Sequence, residues 1–264
     1  GGLDENLEVA AALPVDAIHI DLGRAPEQLD HVLAALPPGI SLSAGVVDGR
    51  NIWKNDYRKA MDLINRAAAN RGKENVWIAP SCSLLHSPID LSLETEIAPE
   101  IKNWMSFAVQ KLNELDDLAR IAGGDELLLQ QNSEAIRSRE TSSLIHKPLV
   151  KQRCTAISAQ DSQREQDFTE RQNLQNEAFN LPLFPTTTIG SFPQTDDIRA
   201  LRARLKKGTI SQEAYDQEIA KETRDSIRWQ EEIGMDVLVH GEFERNDMVE
   251  YFGERLDGFL FTKN

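Results

Sequence analysis

Two stretches of alternating strand and helix signals, separated by a long polar run, limit this chain to a small set of folds. Ala17-Ile18-His19-Ile20-Asp21-Leu22 is a short strand candidate, and residues 26–36 then show helical spacing. Leu29, Val32, Leu33 and Leu36 share one side of that helix and are candidate core contacts. Residues 40–47 read as a second strand, ended by Asp48-Gly49. Asn55 is placed to cap a helix reaching about Arg71, with Gly72 as its stop signal. Val76-Trp77-Ile78-Ala79 is a third strand, running into Pro80-Ser81-Cys82. Strand, helix, strand, helix, strand is the order of a parallel α/β sheet or barrel.

The rhythm then breaks. Ile97, Ile101, Trp104, Ala108, Leu112, Leu115 and Leu118 form one helical stripe ending near Gly123-Gly124, and Asp125 caps a polar helix to about Arg139. Residues 151–180 are rich in Gln, Arg, Glu, Asp and Asn and hold too few large apolar side chains to bury much surface. They read as an interdomain linker with helical character. A second α/β rhythm opens at Pro185, with Thr186-Thr187-Thr188-Ile189 as a strand and Gly190-Ser191-Phe192-Pro193 as a turn. Thr195 or Asp196 starts a short helix, and Ser211 caps a longer one carrying Tyr215, Ile219, Thr223 and Ile227 at i+4 spacing. Gly234 stops it, and Val237-Leu238-Val239 is the next strand.

Composition narrows the function. The formal charge of −14 argues against nucleic acid or an anionic membrane as partner, since either needs a basic face. Two cysteines, Cys82 and Cys154, are too few for a disulfide framework, so a reducing cytoplasm is the expected compartment. No apolar run approaches the roughly 20 residues that cross a bilayer, and no signal segment opens the chain.

Chemistry is expected at the C-terminal ends of parallel strands, where ligands bind in such folds. Gly241-Glu242 follows the strand at 237–240, and its carboxylate suits a substrate ammonium or a base, although a solvated or ion-paired glutamate reads the same way. Ile189-Gly190-Ser191 holds the equivalent edge of the preceding strand. There glycine admits close approach, and Ser191 offers a hydroxyl and an N–H to a carboxylate. Together the two edges make an amino-acid clamp. His240 and Glu242, two apart, form an incomplete metal pair without a third ligand. Cys82 with His86 nearby is a lone thiol without a Cys-x-x-Cys partner, Cys154 is a plain thiol, and His19 reads as a satisfied histidine of a barrel interior.

Thr187-Thr188-Ile189-Gly190-Ser191-Phe192-Pro193-Gln194-Thr195 resembles the opening strand of the C-terminal domain of cobalamin-independent methionine synthases. His240-Gly241-Glu242-Phe243-Glu244-Arg245-Asn246-Asp247-Met248-Val249 is similar to the segment after that domain's second strand. Trp77-Ile78-Ala79-Pro80-Ser81-Cys82-Ser83-Leu84-Leu85-His86 resembles the end of the family's N-terminal domain. The resemblance implies parts of two (β/α)8 TIM barrels joined by a long, partly helical linker, neither barrel complete. Residues 1–124 would belong to the first barrel, 125–184 to an interdomain helix and polar linker, and 185–264 to the second.

It implies transfer of a methyl group from 5-methyltetrahydropteroyltri-L-glutamate to L-homocysteine, with zinc and without cobalamin. Ile189, Gly190 and Ser191 would hold the homocysteine carboxylate end and Glu242 its ammonium. The family's zinc ligands include a His-x-Cys pair, which this sequence lacks, so no metal ligand and no catalytic residue is expected here. The Cys82 loop resembles a degenerate copy of the family's zinc-cysteine loop. The main folate contacts are expected outside the chain, and the remaining segments of a longer parent are its expected partners. On this reading the chain is an internal fragment, inactive alone. The rival readings are an inert or docking fragment and a related barrel decarboxylase or methyltransferase.

Overall fold

The alternation at the start of the chain folds as a parallel sheet. In the computed structural model, which describes residues 1–262, β1 (Ala17–Asp21), β2 (Ser41–Val47) and β3 (Val76–Pro80) lie in the order β1-β2-β3, all parallel. Ile18 sits opposite Leu42, and Leu42 opposite Val76. Residues 44–47 of the central strand are buried in succession, as expected where both faces of a parallel sheet are covered. The chain divides into two compact units, one built on residues 1–148 and the other on 149–259.

In the first unit, α1 (Leu7–Ala11), α2 (Leu29–Ala35) and α3 (Tyr57–Arg71) join the sheet in one apolar core. Leu29, Val32, Leu33 and Leu36 are buried as their spacing predicts. Each contributes about 1.5–3 kcal/mol relative to an exposed position. The α3 cap is Asp56 rather than Asn55: its carboxylate accepts from the N–H groups of Arg58 and Lys59. Asn55 is engaged elsewhere, its N–H donating to Glu114 Oε1 (2.9 Å) and its carbonyl accepting from Asn132 Nδ2 (2.8 Å). At the other end Gly72 takes φ +83°, and the Arg71 guanidinium satisfies the carbonyls of Leu36, Pro37 and Ile40.

The expected single stripe over residues 97–118 is two helices, α4 (Pro99–Asn103) and α5 (Ala108–Ala122). Residues 104–107 leave the helix because their backbone pairs with the 52–54 segment. Met105 bridges Trp53, the Ser106 N–H donates to Ile52 O (2.8 Å), and the Lys54 N–H donates to Trp104 O (2.9 Å). The helix α6 (Glu126–Thr141) is capped by Asp125 and packs on α3 and α5.

The second unit opens with α7 (Pro148–Ala156) and α8 (Phe168–Phe179), whose low apolar content leaves every residue of 151–180 except Arg171 exposed. Thr195 caps α9 (Asp196–Lys206), Ser211 caps α10 (Gln212–Glu232) and Asp247 caps α11 (Met248–Gly253). Ile198, Tyr215, Ile219 and Phe243 form the core of this unit, with Phe192, Leu201, Leu205 and Ile210 packed around them.

The strands expected at 186–189 and 237–239 do not form a ladder. The two segments run in parallel, joined by Val237 N–H to Thr186 O (3.0 Å), Phe192 N–H to Gly241 O (2.9 Å) and one bridge, Ser191 to Gly241. Parallel pairs are slightly weaker per residue than antiparallel ones, and two strands alone are marginal.

Candidate functional site

The two parallel segments end side by side, and their ends carry the predicted clamp. Gly241 (φ +86°) and Glu242 (φ +58°) are consecutive left-handed residues. That reversal costs a non-glycine residue roughly 1–2 kcal/mol, and it folds the Glu242 side chain back over Gly190. A Cβ built on Gly190 would lie 2.9 Å from Glu242 Oε1, so only glycine leaves the carboxylate where it is. Ser191 is exposed beside it, bridged to Gly241. Gly190, Ser191 and Glu242 are therefore neighbours, while the Ile189 side chain is 76% exposed and lies outside the core of this unit.

Several side chains that the sequence pattern did not single out hold this edge. The Arg245 guanidinium forks onto Glu242, with Nε donating to Oε2 at 3.1 Å and Nη2 paired with Oε1. This hydrogen bond and charge hold the Glu242 carboxyl below the ordinary carboxylate range and raise the Arg245 pKa in turn. Gln194 Nε2 donates to Arg245 O (3.3 Å), and Arg202 Nη2 donates to both Gln194 Oε1 and Phe243 O (3.1 Å each). Gln230, fully buried, exchanges two bonds with Val239: Nε2 to the carbonyl (2.7 Å) and the Val239 N–H to Oε1 (2.9 Å). Its amide thus acts as a neighbouring strand would. Below them Phe192 meets Trp229 and Phe243 edge to face, with centroids 6.1 and 6.2 Å apart. The i, i+3 spacing of Glu242 and Arg245 is the one feature of the sequence from which any of these contacts could have been read.

The arrangement presents an ionised carboxylate on one lip and an exposed serine beside a half-buried glycine on the other. A carboxylate has about four acceptor sites, so Glu242 keeps capacity for an ammonium beside Arg245.

His240 and Glu242 do not converge as a metal pair: His240 Nε2 faces Glu244 Oε1 at 3.2 Å, while Glu242 faces Arg245. Among the described residues no three His, Cys, Asp or Glu side chains come together, so the zinc that the resemblance implies has no ligand set here. In the first unit His19 is exposed yet bonded, Nδ1 to Ser43 Oγ (3.0 Å) and Nε2 to Ser81 O (3.3 Å). Cys82 is a free thiol whose loop packs on Gly49, and His86 ends a short 3-10 turn. Cys154 is free and exposed. Among the described residues no helix is long and apolar enough to cross a membrane.

Comparison with known proteins bears on the same residues. The family described as cobalamin-independent synthase, catalytic domain, matches residues 184–264, and the N-terminal domain of the same synthase matches residues 1–72. The chain belongs to the cobalamin-independent synthase family. A 5-methyltetrahydropteroyltriglutamate–homocysteine methyltransferase of Flavobacterium johnsoniae is 54% identical across 98% of this chain. One of the same name from Xylella fastidiosa is 51% identical across 100% of it. The chain spans 35% of the length of each. Gly190, Ser191 and Glu242 fall within the match to the synthase catalytic domain, and β1, β2 and α3 within the match to the synthase N-terminal domain.

Proposed function

We propose that this chain supplies the amino-acid end of a homocysteine site in an enzyme that moves a methyl group from 5-methyltetrahydropteroyltriglutamate to homocysteine. The observation that carries the proposal is the Glu242 carboxylate folded over Gly190 beside Ser191. The Gly190–Ser191 edge, with the Ile189 backbone before it, receives the substrate carboxylate, and Glu242 receives the ammonium. These residues bind and orient homocysteine; thiol activation, which zinc supplies in this family, is not assigned to them.

The wider reading is in keeping with the parallel sheet of the first unit and the parallel bridge between the 186–192 and 237–242 segments of the second. Residues 1–124 and 185–264 are taken as parts of two (β/α)8 barrels, and 125–184 as the helix and linker between them. Neither part closes a barrel alone, so the remaining segments of a longer chain are its partners. Two free thiols suit a reducing cytoplasm.

The test is to graft this chain into the Flavobacterium johnsoniae relative in place of the matching 270 residues and assay methionine formation. The chimera should be active, and Glu242→Gln should raise KM for homocysteine about 10- to 100-fold, the effect of losing a hydrogen bond to a charged group. An unchanged KM would remove Glu242 from the site. The chain by itself should form no methionine, and turnover by it would overturn the division of labour described above.

A further inference from the structure

We infer that Arg245 is a positioning residue for homocysteine, acting through Glu242: it sets the direction from which the carboxylate meets the substrate ammonium. The inference rests on the homocysteine reading of this site.

A glutamate at a left-handed position, at the end of two segments without a sheet ladder, has no regular structure to fix its rotamer. Arg245 supplies that restraint. A planar guanidinium matches a carboxylate along two parallel bonds, so the fork sets the plane of the carboxylate as well as its distance. Arg245 is itself restrained. Its side chain is only 15% exposed, its carbonyl is held by Gln194, and Gln194 is held by Arg202, which also grips the carbonyl of Phe243. Each link is anchored to α9 or to Gln194, just after the 190–193 turn that carries Ser191. The carboxylate lip and the serine lip are thereby coupled through side chains. Arg245 meets both oxygens, Nε on Oε2 and Nη2 on Oε1, and Oε1 also lies against Gly190; the second acceptor site on each oxygen is what remains for the ligand.

The test is a double-mutant cycle in the active chimera, read as KM for homocysteine against kcat, with circular dichroism to confirm folding. Arg245→Ala should raise KM about tenfold with little change in kcat, and Arg245→Lys, which keeps the charge but cannot fork, should fall between it and the parent. In a Glu242→Gln background Arg245→Ala should add almost nothing, because its route to the substrate is already gone. Full additivity of the two changes, or a silent Arg245→Ala beside a damaging Glu242→Gln, would overturn the inference while leaving the homocysteine site intact. A silent Glu242→Gln would overturn both. The carbon-13 titration of the Glu242 carboxyl in the chain itself gives an independent readout: Arg245→Ala should raise its pKa, and an unmoved titration would count against the pairing.

Discussion

Gly190 and Glu242 are opposed across a gap that a single methyl group would fill. A Cβ at Gly190 meets the far end of the Glu242 side chain and no backbone atom, so the chain can give way without losing its fold. Gly190→Ala should therefore leave the melting temperature within about 2 °C, an effect below about 0.5 kcal/mol. It should nevertheless raise KM for homocysteine in the chimera, because the carboxylate must swing away; steady-state kinetics beside thermal denaturation checks both. Gly45 shows the opposite case, since a Cβ there would lie 2.6 Å from Ile20 O and 2.8 Å from Ser81 Cα, backbone atoms of both flanking segments. Legibility differs at these two positions for the same reason. The sequence marked Gly190 through its motif, whereas nothing local distinguishes Gly45 from any other glycine in an apolar run.

Among elements, the parallel pair 186–192 and 237–242 depends on its ends. Asp236 ties the start of one segment to the start of the other: its carboxylate accepts from the Thr186 N–H (2.7 Å) and hydroxyl (2.8 Å). Those bonds hold the Asp236 carboxyl below its ordinary value of 3.8. A carboxylate lowered in the folded chain contributes fully above that value, and the contribution is lost only as pH falls through the lowered pKa. Amide exchange at Val237 and Thr186 should accordingly stay slow from neutral pH down to about 4 and rise, beyond the intrinsic pH dependence, only in more acid solution. Asp236→Ala should bring that faster exchange to neutral pH, and unchanged protection would show that the tie is dispensable. The helices α9 and α10 were legible in advance because Thr195, Ser211 and Gly234 are local signals, whereas α11 was not anticipated. The strands were overread, because a run of threonines states a preference for extended backbone and not whether a neighbour stands beside it.

At the scale of the molecule, the first unit is secured by a buried polar network as well as by its apolar core. Lys111 is fully buried and Glu114 nearly so. Lys111 Nζ donates to Trp53 O (3.1 Å) and Asn51 Oδ1 (3.3 Å), while Glu114 Oε1 accepts from the Asn55 N–H. Burial lowers the lysine pKa and raises that of the glutamate, and their mutual attraction opposes both shifts. Lys111→Met should destabilise this unit by about 3 kcal/mol, the scale of leaving a buried charge uncompensated. Lys111→Met with Glu114→Gln should recover part of it, because the neutral amide still accepts from Asn55. Urea midpoints followed at the amides of β2 measure both, and no recovery in the double variant would place the cost in packing instead.

What the sequence determined by itself was whatever depends on near neighbours. The periods of apolar residues set β1, β2, β3, α2 and α3. Capping residues set the helix ends to within a residue, and two long motifs located the Gly190–Ser191 and Glu242 edges. Tertiary structure decided what depends on the path of the chain. The contact of the 52–54 segment with 104–106 split one helical stripe in two, and Glu114 with Asn132 drew Asn55 away so that the cap passed to Asp56. Arg245 and Gln230 became the supports of the site in the same way. A side chain's periodicity is written in the residues around it, but its partner is chosen by distance in space, and a buried polar group bonds to whatever donor or acceptor folding brings within reach.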